Sequence, residues 1–500
     1  MFNFTRGFMS RKWYILAISI LIYLPVAIDA TVLHIAIPTL SEVFALDNNQ
    51  MLWVIDIYAL MMAVFLLPMG ALGERIGYKR LLLIGAAIFG LASLLAAFSI
   101  SAFMLIIARV ILALGASMII PATLAALRTE FEDENQRNQA LGFWVVAGGG
   151  GAALGPLVGG VLLEYFSWGS IFLINIPLVI FVLLTGGWLL PQQTGNANKK
   201  IDLKAAALLM VAVLSLIYGI KSVMKATDLQ AFAILLLGAL LLLFFVKVQK
   251  KSNEKLINFE LFGYAGIKFG FLISFVAMIA LVGFELLISQ ELQFVLGYSA
   301  LDAGLYILPF MLTISLGGIF SSALLNRFGY KIVAVWGLFL SAIAMLGLSQ
   351  TQFAEQFIQA SVFMVLLGSS IIIAFLAATS AILSAAPPEQ ATAAGAIEGM
   401  SYELGTGLGV TVFGLIAAAV YQHHLIQNTT MLAQHPELAT GALLETLHSL
   451  ENVSETVREP LRMLAFDAFS TAHSTVLLLS SIILFVLAIF IQIFWRQDTA

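Results

Sequence analysis

Asp29-Ala30-Thr31-Val32-Leu33-His34-Ile35-Ala36-Ile37-Pro38 closes an apolar run that begins at Trp13. At ~1.5 Å per residue, a helix over 13–36 is long enough to cross a bilayer. A carboxylate inside such a helix costs roughly 2.5–3.5 kcal/mol on insertion scales, so it is rarely kept without a task. The competing reading has Asp29 capping a frayed helix end at the interface. Other ionisable residues at a similar depth favour the working carboxylate.

Composition supports the membrane reading. The chain has 500 residues, 61% of them hydrophobic and only 10% charged, with a mean hydropathy of +1.01. A soluble domain cannot bury that much apolar surface, whereas a multispan protein turns it to lipid. The formal net charge of −4 and the lack of a basic tract give no nucleic-acid footprint. Zero cysteines exclude disulfides, thiolate metal sites and thiol catalysis. The six histidines lack metal-ligand spacing, and the adjacent pair His423-His424 reads as solvated. No metal and no cofactor is expected. Arg11-Lys12 before an apolar run imitates a signal peptide, but Asp29 and the many later spans make it a retained first helix.

The expected fold is an all-α integral membrane protein with fourteen transmembrane helices. The first six fall near 13–36, 51–72, 81–100, 103–126, 140–163 and 168–190. An inserted pair follows at about 203–220 and 230–248, and six more lie near 267–289, 301–324, 332–350, 357–384, 392–420 and 472–495. The implied domains are a six-helix bundle over 1–190, a linker with the extra pair over 191–255, and a second bundle over 256–500. With a cytoplasmic start, nineteen of the 24 Lys and Arg fall inside, four fall outside, and Arg109 lies within a span. That bias predicts that both termini are cytoplasmic. A long external loop at about 422–471 has helix-like patterning on either side of a break near Asn452. It reads as an amphipathic hairpin on the outer face, with Pro436 and Pro460 suited to helix starts.

The stretch Ala71-Leu72-Gly73-Glu74-Arg75-Ile76-Gly77-Tyr78-Lys79 recurs as Ala323-Leu324-Leu325-Asn326-Arg327-Phe328-Gly329-Tyr330-Lys331, each time after the second helix of a six-helix group. Two such halves suit a transporter whose halves rock about a midplane site.

Several motifs together resemble the major facilitator superfamily and its fourteen-helix drug:proton antiporter branch. Gly70-Ala71-Leu72-Gly73-Glu74-Arg75-Ile76-Gly77-Tyr78-Lys79-Arg80 is similar to that family's loop between helices 2 and 3, with Glu74 in place of the usual Asp. Leu105-Ile106-Ile107-Ala108-Arg109 with Gly115 resembles its helix-4 motif. Gly151-Ala152-Ala153-Leu154-Gly155-Pro156-Leu157-Val158-Gly159-Gly160 resembles its helix-5 antiporter motif, and the stretch from Asp29 to Pro38 resembles the branch's helix-1 motif. The resemblance implies a proton-coupled exporter of lipophilic mono- and divalent cations, such as quaternary ammonium compounds, cationic dyes and biguanides. It also implies the cytoplasmic (inner) membrane of a bacterium, protons and the lipid bilayer as partners, and a monomer rather than an enzyme. An exporter of an endogenous amphipathic metabolite and a non-transporting membrane sensor are the rival readings.

Counting depth places Asp29, Asp56 and Arg109 in the outer half, where Arg109 is able to meet either carboxylate. An adjacent cation and desolvation pull a carboxyl in opposite directions, which suits a proton-coupling set of Asp29, Arg109 and Asp56. Glu398 and Glu403 lie in the glycine-rich thirteenth span. With Asp56 they are the expected substrate-binding acids, although five residues of helix turn the two glutamates about 140° apart. Aromatic rings add cation–π attraction for a quaternary ammonium. Glu285 and Asp302 read as interfacial.

Gly148, Gly151, Gly155 and Gly159 share one helix face and permit close approach, with Pro156 bending the helix. With Gly160 they read as a seam between the halves. No Walker lysine follows them, so a nucleotide loop is excluded. The cytoplasmic loop of Gly70, Glu74, Arg75, Gly77 and Lys79 reads as a charge latch for the inner gate, with topology-setting cations as its simpler role.

Overall fold

A computed structural model describes residues 11–495 apart from 132, 193–194, 196–201, 226–228, 253–254, 257–258, 387–390, 428–441 and 451–454. All its regular elements are helical. α1 (Arg11–Phe44), α2 (Asn48–Ile76), α3 (Tyr78–Ala97), α4 (Ala102–Glu130) and α5 (Glu134–Tyr165) lead, through a helical turn at Ser170–Leu173, to α6 (Asn175–Leu189). The inserted pair is α7 (Leu203–Lys225) and α8 (Leu229–Lys251). Then come α9 (Ala265–Gln290), α10 (Ala300–Tyr306), α11 (Leu308–Ser349), α12 (Phe357–Ala385), α13 (Ala391–Gln427), α14 (Leu443–Leu450) and α15 (Glu455–Phe494).

Among the described residues, eleven helices are long and apolar enough to cross a membrane, or thirteen if each of two bent pairs is one span. The apolar part of α7, Lys204–Ile220, is shorter than the others. α1–α6 pack mainly among themselves, as do α9 and α11–α13 with α15, while the short α10 rests mainly on α5. The two groups meet chiefly where α2 lies on α13, and where α5 lies on α10 and α11. α7 and α8 lean on each other, with Gly219 against Leu235 and Gly238 against Leu216, and among the described residues α7 packs on the bundle through α2 and α13.

The internal repeat is present in the backbone as well as in the letters. Gly77 has φ 86° and ψ 148°, and Gly329 has φ 75° and ψ 162°. Only glycine enters that region without strain, so each copy turns its chain at the same place. α11 is therefore two helices joined at Gly329, which the expected spans over 301–324 and 332–350 had separated.

Three expectations are corrected. α1 does not stop near 36 but continues through Pro38 to Phe44. The segment at 422–471 is a helical pair as expected in part, since α14 packs on the start of α15 with Arg458 donating to the Leu450 carbonyl at 3.0 Å. It is not separate from the spans: α13 runs on to Gln427, and α15 continues from Glu455 without interruption to Phe494. Pro460 lies inside α15 rather than at its start. Pro436 and the break near Asn452 lie outside the described residues. In the third case, Glu285 faces into the bundle, its side chain 16% exposed and 3.5 Å from buried His34. Asp302 instead keeps a helix-start role, accepting from the Ser299 hydroxyl at 2.9 Å.

Candidate functional site

Asp29 sits within α1, and Arg109 within the first half of α4, each 1% exposed. Arg109 Nη1 donates to Asp29 Oδ2 at 2.5 Å. The guanidinium carbon also lies 4.3 Å from the centroid of the Tyr58 ring, on α2. Burial this deep rules out the frayed-end reading of Asp29. The contact is one-pronged rather than a bidentate fork, and among the described residues neither Asp29 Oδ1 nor Arg109 Nε meets a hydrogen-bond partner. A half-satisfied buried pair of this kind is poor as a structural staple, because the charges lose water without gaining a full set of bonds. It leaves one carboxylate oxygen open to a proton.

Asp56 takes a different partner. Thr411 Oγ1, on α13, donates to Asp56 Oδ2 at 2.7 Å, so this carboxylate is held from the second helical group. Of the two contacts that depth counting allowed, the Arg109–Asp29 pair is the one drawn tight.

The glutamates of α13 share one neighbourhood after all. Glu398 Oε1 accepts from Thr379 on α12 at 2.9 Å. Glu403 lies within electrostatic reach of Glu398 and also of Arg109. Tyr23 of α1 and Tyr402 each feel the charge of both glutamates. Tyr58 bridges to the first pair, within range of Asp29, Arg109 and Glu403. Glu398, Tyr402, Glu403 and Tyr23 are each partly exposed although they lie inside the bundle, so they line open space. The 140° divergence expected along one helix is bridged by α1, which faces both acids at once.

Aromatic rings form part of the lining. Tyr23 stacks on Trp144 of α5, with centroids 4.2 Å apart and planes 4° apart. Trp144 is oriented by its Nε1, which donates to Thr123 Oγ1 at 3.1 Å. Any Cβ at Gly148, one turn from Trp144, would collide with the Tyr23 ring. Tyr402 meets Phe375 edge to face at 5.4 Å.

The glycine face of α5 turns to α1 more than to the second group. A Cβ at Gly155 would collide with Thr31 Oγ1, one at Gly151 would lie 3.0 Å from Ala27, and one at Gly159 2.7 Å from Val32 and Ile35. Gly160 alone of this motif's glycines meets the second group, where a Cβ would lie 2.7 Å from the Ala300 carbonyl. The seam expected between halves is thus largely a seam within the first six helices. α5 bends by 45° between Val146–Ala152 and Leu154–Tyr165, one turn ahead of Pro156.

In the α2–α3 loop, Lys79 Nζ donates at 2.8 Å to the carbonyls of Gly187 and Leu190, the C-terminal end of α6. Arg11 reaches the neighbouring Leu189 carbonyl at 3.3 Å. Cations there satisfy orphan carbonyls and complement the helix dipole. Tyr78 donates to Glu130 at 2.9 Å. Arg75 is exposed, and an added Cβ at Gly70 would meet nothing within 4 Å. The Glu74 side chain lies outside the described residues, as does that of Asn326.

Sequence reading did not single out Tyr23, Tyr58, Trp144, Thr379 or Thr411. It also passed over a buried cluster in which Ser470 donates to Glu291 at 2.5 Å and His473 lies 3.4 Å from the same carboxylate. None of these carries a linear signature, since a tyrosine or threonine in an apolar span is unremarkable until its facing helix is known.

The chain matches the family model of the Major Facilitator Superfamily over residues 19–410. It is 46% identical over 483 residues to the methyl viologen resistance protein SmvA of Salmonella typhimurium, covering 96% of this chain and 98% of that one. It is 32% identical over 441 residues to the multidrug efflux pump LfrA of Mycolicibacterium smegmatis, covering 88% and 86%. In fold it is similar to a bacterial homologue of the human lysosomal transporter Spinster in an inward-facing, unoccupied conformation. The TM-score there is 0.68, with 16% identity and coverage of 99% and 100%. The chain is a multi-pass membrane transporter, not an enzyme, and it belongs to the Major Facilitator Superfamily.

Proposed function

We propose that this transporter exports lipophilic mono- and divalent cations, among them quaternary ammonium compounds, dyes and biguanides, in exchange for protons. The observation that carries the reading is the buried Asp29–Arg109 pair packed on the Tyr58 ring, with Glu403 within electrostatic reach of Arg109 from the acid- and ring-lined space beside it. A proton arriving on Asp29 weakens its hold on Arg109. The freed guanidinium is then attracted by Glu403, whose grip on a bound cation loosens. Loss of the proton on the opposite side restores the Asp29–Arg109 pair and returns Glu403 to its cation. Thr411 and Asp56 carry the change across to α13.

Two carboxylates, Glu398 and Glu403, supply the charge for a dication, and the Tyr23–Trp144 stack and Tyr402 supply ring faces. The name of the Salmonella relative, which refers to a flat aromatic dication, agrees with that pairing. We further propose fourteen spans, with α7 as the one shorter member, and two rocking halves over 1–190 and 256–500. Both termini would lie in the cytoplasm beneath the bacterial inner membrane, as the lysine and arginine bias indicates.

Ethidium efflux from proteoliposomes under an imposed proton gradient tests the reading. Uphill movement that collapses with the gradient, and that tetraphenylphosphonium competes away, is expected. Gradient-independent movement overturns the coupling. Competition by amphipathic anions but not by cations overturns the substrate class, and no movement of any probe favours a sensor.

A further inference from the structure

We infer that Glu285 and Ser289 of α9 and Gln293, in the π-helical turn Glu291–Val295 that follows it, are positioning residues that clasp α1 beside Asp29 and hold shut the end of the bundle that the charge bias places outside. The clasp begins with a missing donor. Pro38 lies inside α1 and has no N–H, so the His34 carbonyl four residues back has no helical partner. Ser289 Oγ supplies one, donating to His34 O at 2.6 Å from the second helical group. Gln293 Nε2 donates to the next carbonyl, Ile35 O, at 3.2 Å, and is itself braced by Ser289 Oγ at 3.0 Å. Glu285 Oε2 lies 3.5 Å from His34 Nδ1.

Glu285 and Ser289 are four apart on one face of α9, and Gln293, in the turn beyond it, is tied to that face by donating to Ser289 O at 3.3 Å as well as to its hydroxyl. His34 and Ser289 are 3% and 1% exposed, so water competes little for these bonds. The Asp56–Thr411 bond and the Gly160–Ala300 approach join the two groups at the same end. Toward the opposite end the approaches are looser: a Cβ at Gly399 would lie 3.4 Å from Leu66, and one at Gly150 3.9 Å from Ser315. The clasp therefore belongs to an arrangement closed on one side, and it must part for the closed end to open. It also fixes α1 only five residues from Asp29.

This inference rests on the proposed alternating transport, but its test needs neither cargo nor proton gradient. Met311 is 1% exposed and lines a narrow cavity beside the clasp with His34, Glu285 and Ser289. The chain has no cysteine, so Met311→Cys gives a single reporter thiol. Its labelling by a membrane-impermeant maleimide added from outside reads how often that end opens. Ser289→Ala is expected to speed labelling roughly fivefold, as loss of one buried hydrogen bond shifts a two-state equilibrium. Ser289→Thr keeps the hydroxyl and should label as the parent does. Pro38→Ala returns a helical donor to His34 O and should also speed labelling. Equal rates in the Ser289→Ala variant and its parent overturn the clasp. An Ile35→Cys/Gln293→Cys pair, once oxidised, should stop efflux until reduced, and full efflux by the cross-linked protein would show that the clasp need not open.

Discussion

Thr31 Oγ1 donates to the carbonyl of Ala152 at 2.6 Å, and that carbonyl is the one Pro156 leaves without a helical N–H. The helix-1 and helix-5 motifs are thus two sides of a single joint. Gly155 completes it, since any side chain there meets Thr31. Gly155→Ala should overpack the joint at a cost of about 1–3 kcal/mol, seen as a lower melting temperature in detergent together with slower efflux. Thr31→Ala should lose about 1 kcal/mol and leave efflux partly intact, because it strands a carbonyl without a clash. An unchanged melting temperature in Gly155→Ala would show that the close approach is not needed.

The Asp29–Arg109 pair separates coupling from movement. Asp29→Asn keeps the size of the side chain and removes the exchangeable charge. It should abolish uphill efflux while leaving downhill exchange of labelled for unlabelled cation. Arg109→Lys keeps charge but loses the planar group over Tyr58, so it should fall between Arg109→Ala and the parent. Full gradient-driven efflux by a well-expressed Asp29→Asn protein would remove Asp29 from the coupling.

Asp29 and Arg109 were legible because a charge in an apolar run stands out, and counting residues placed both at one depth. Their mutual choice was not legible, since Asp56 lies at a similar depth and only helix rotation decides which carboxylate Arg109 takes. The glycine row of α5 announced a close contact but not its partner, which is α1. The first span is expected to end near 36, yet α1 passes through Pro38, where Ser289 satisfies the carbonyl that the proline abandons. Tyr23 and Trp144 became visible only once Gly148 was seen to make room for their stack.

Gly77 and Gly329 offer a test of the repeat as a physical device. Both hold φ in the region that costs a side chain about 1 kcal/mol or more. Gly77→Ala and Gly329→Ala should each lower the melting temperature by similar amounts, and the double variant should show the sum, since the turns share no partner. If Gly77→Ala impairs efflux at a melting temperature equal to that of Gly329→Ala, the first turn carries a gating role that the second does not. Equal losses of efflux would leave both as hinges of the scaffold.

The ring-lined acids make the sharpest prediction about cargo. Glu403 senses Glu398 and Arg109 together, so neutralising it changes both the charge offered to a cation and the grip on Arg109. Glu403→Gln should raise the half-saturating concentration of a bis-quaternary compound more than that of its mono-quaternary counterpart, because the dication depends on two acids. The Tyr23→Leu variant removes a ring face without touching charge. It should weaken flat aromatic cations by about 0.5–2 kcal/mol and spare a saturated bis-quaternary chain of equal charge. Tyr23→Phe should restore the aromatic preference, since the face rather than the hydroxyl carries it. Measuring efflux of the four compounds alongside melting temperature separates these outcomes from a folding defect. Equal loss for all four compounds in Tyr23→Leu would mean that Tyr23 only packs against Gly148, and parental efflux of every compound in Glu403→Gln would take Glu403 out of substrate binding.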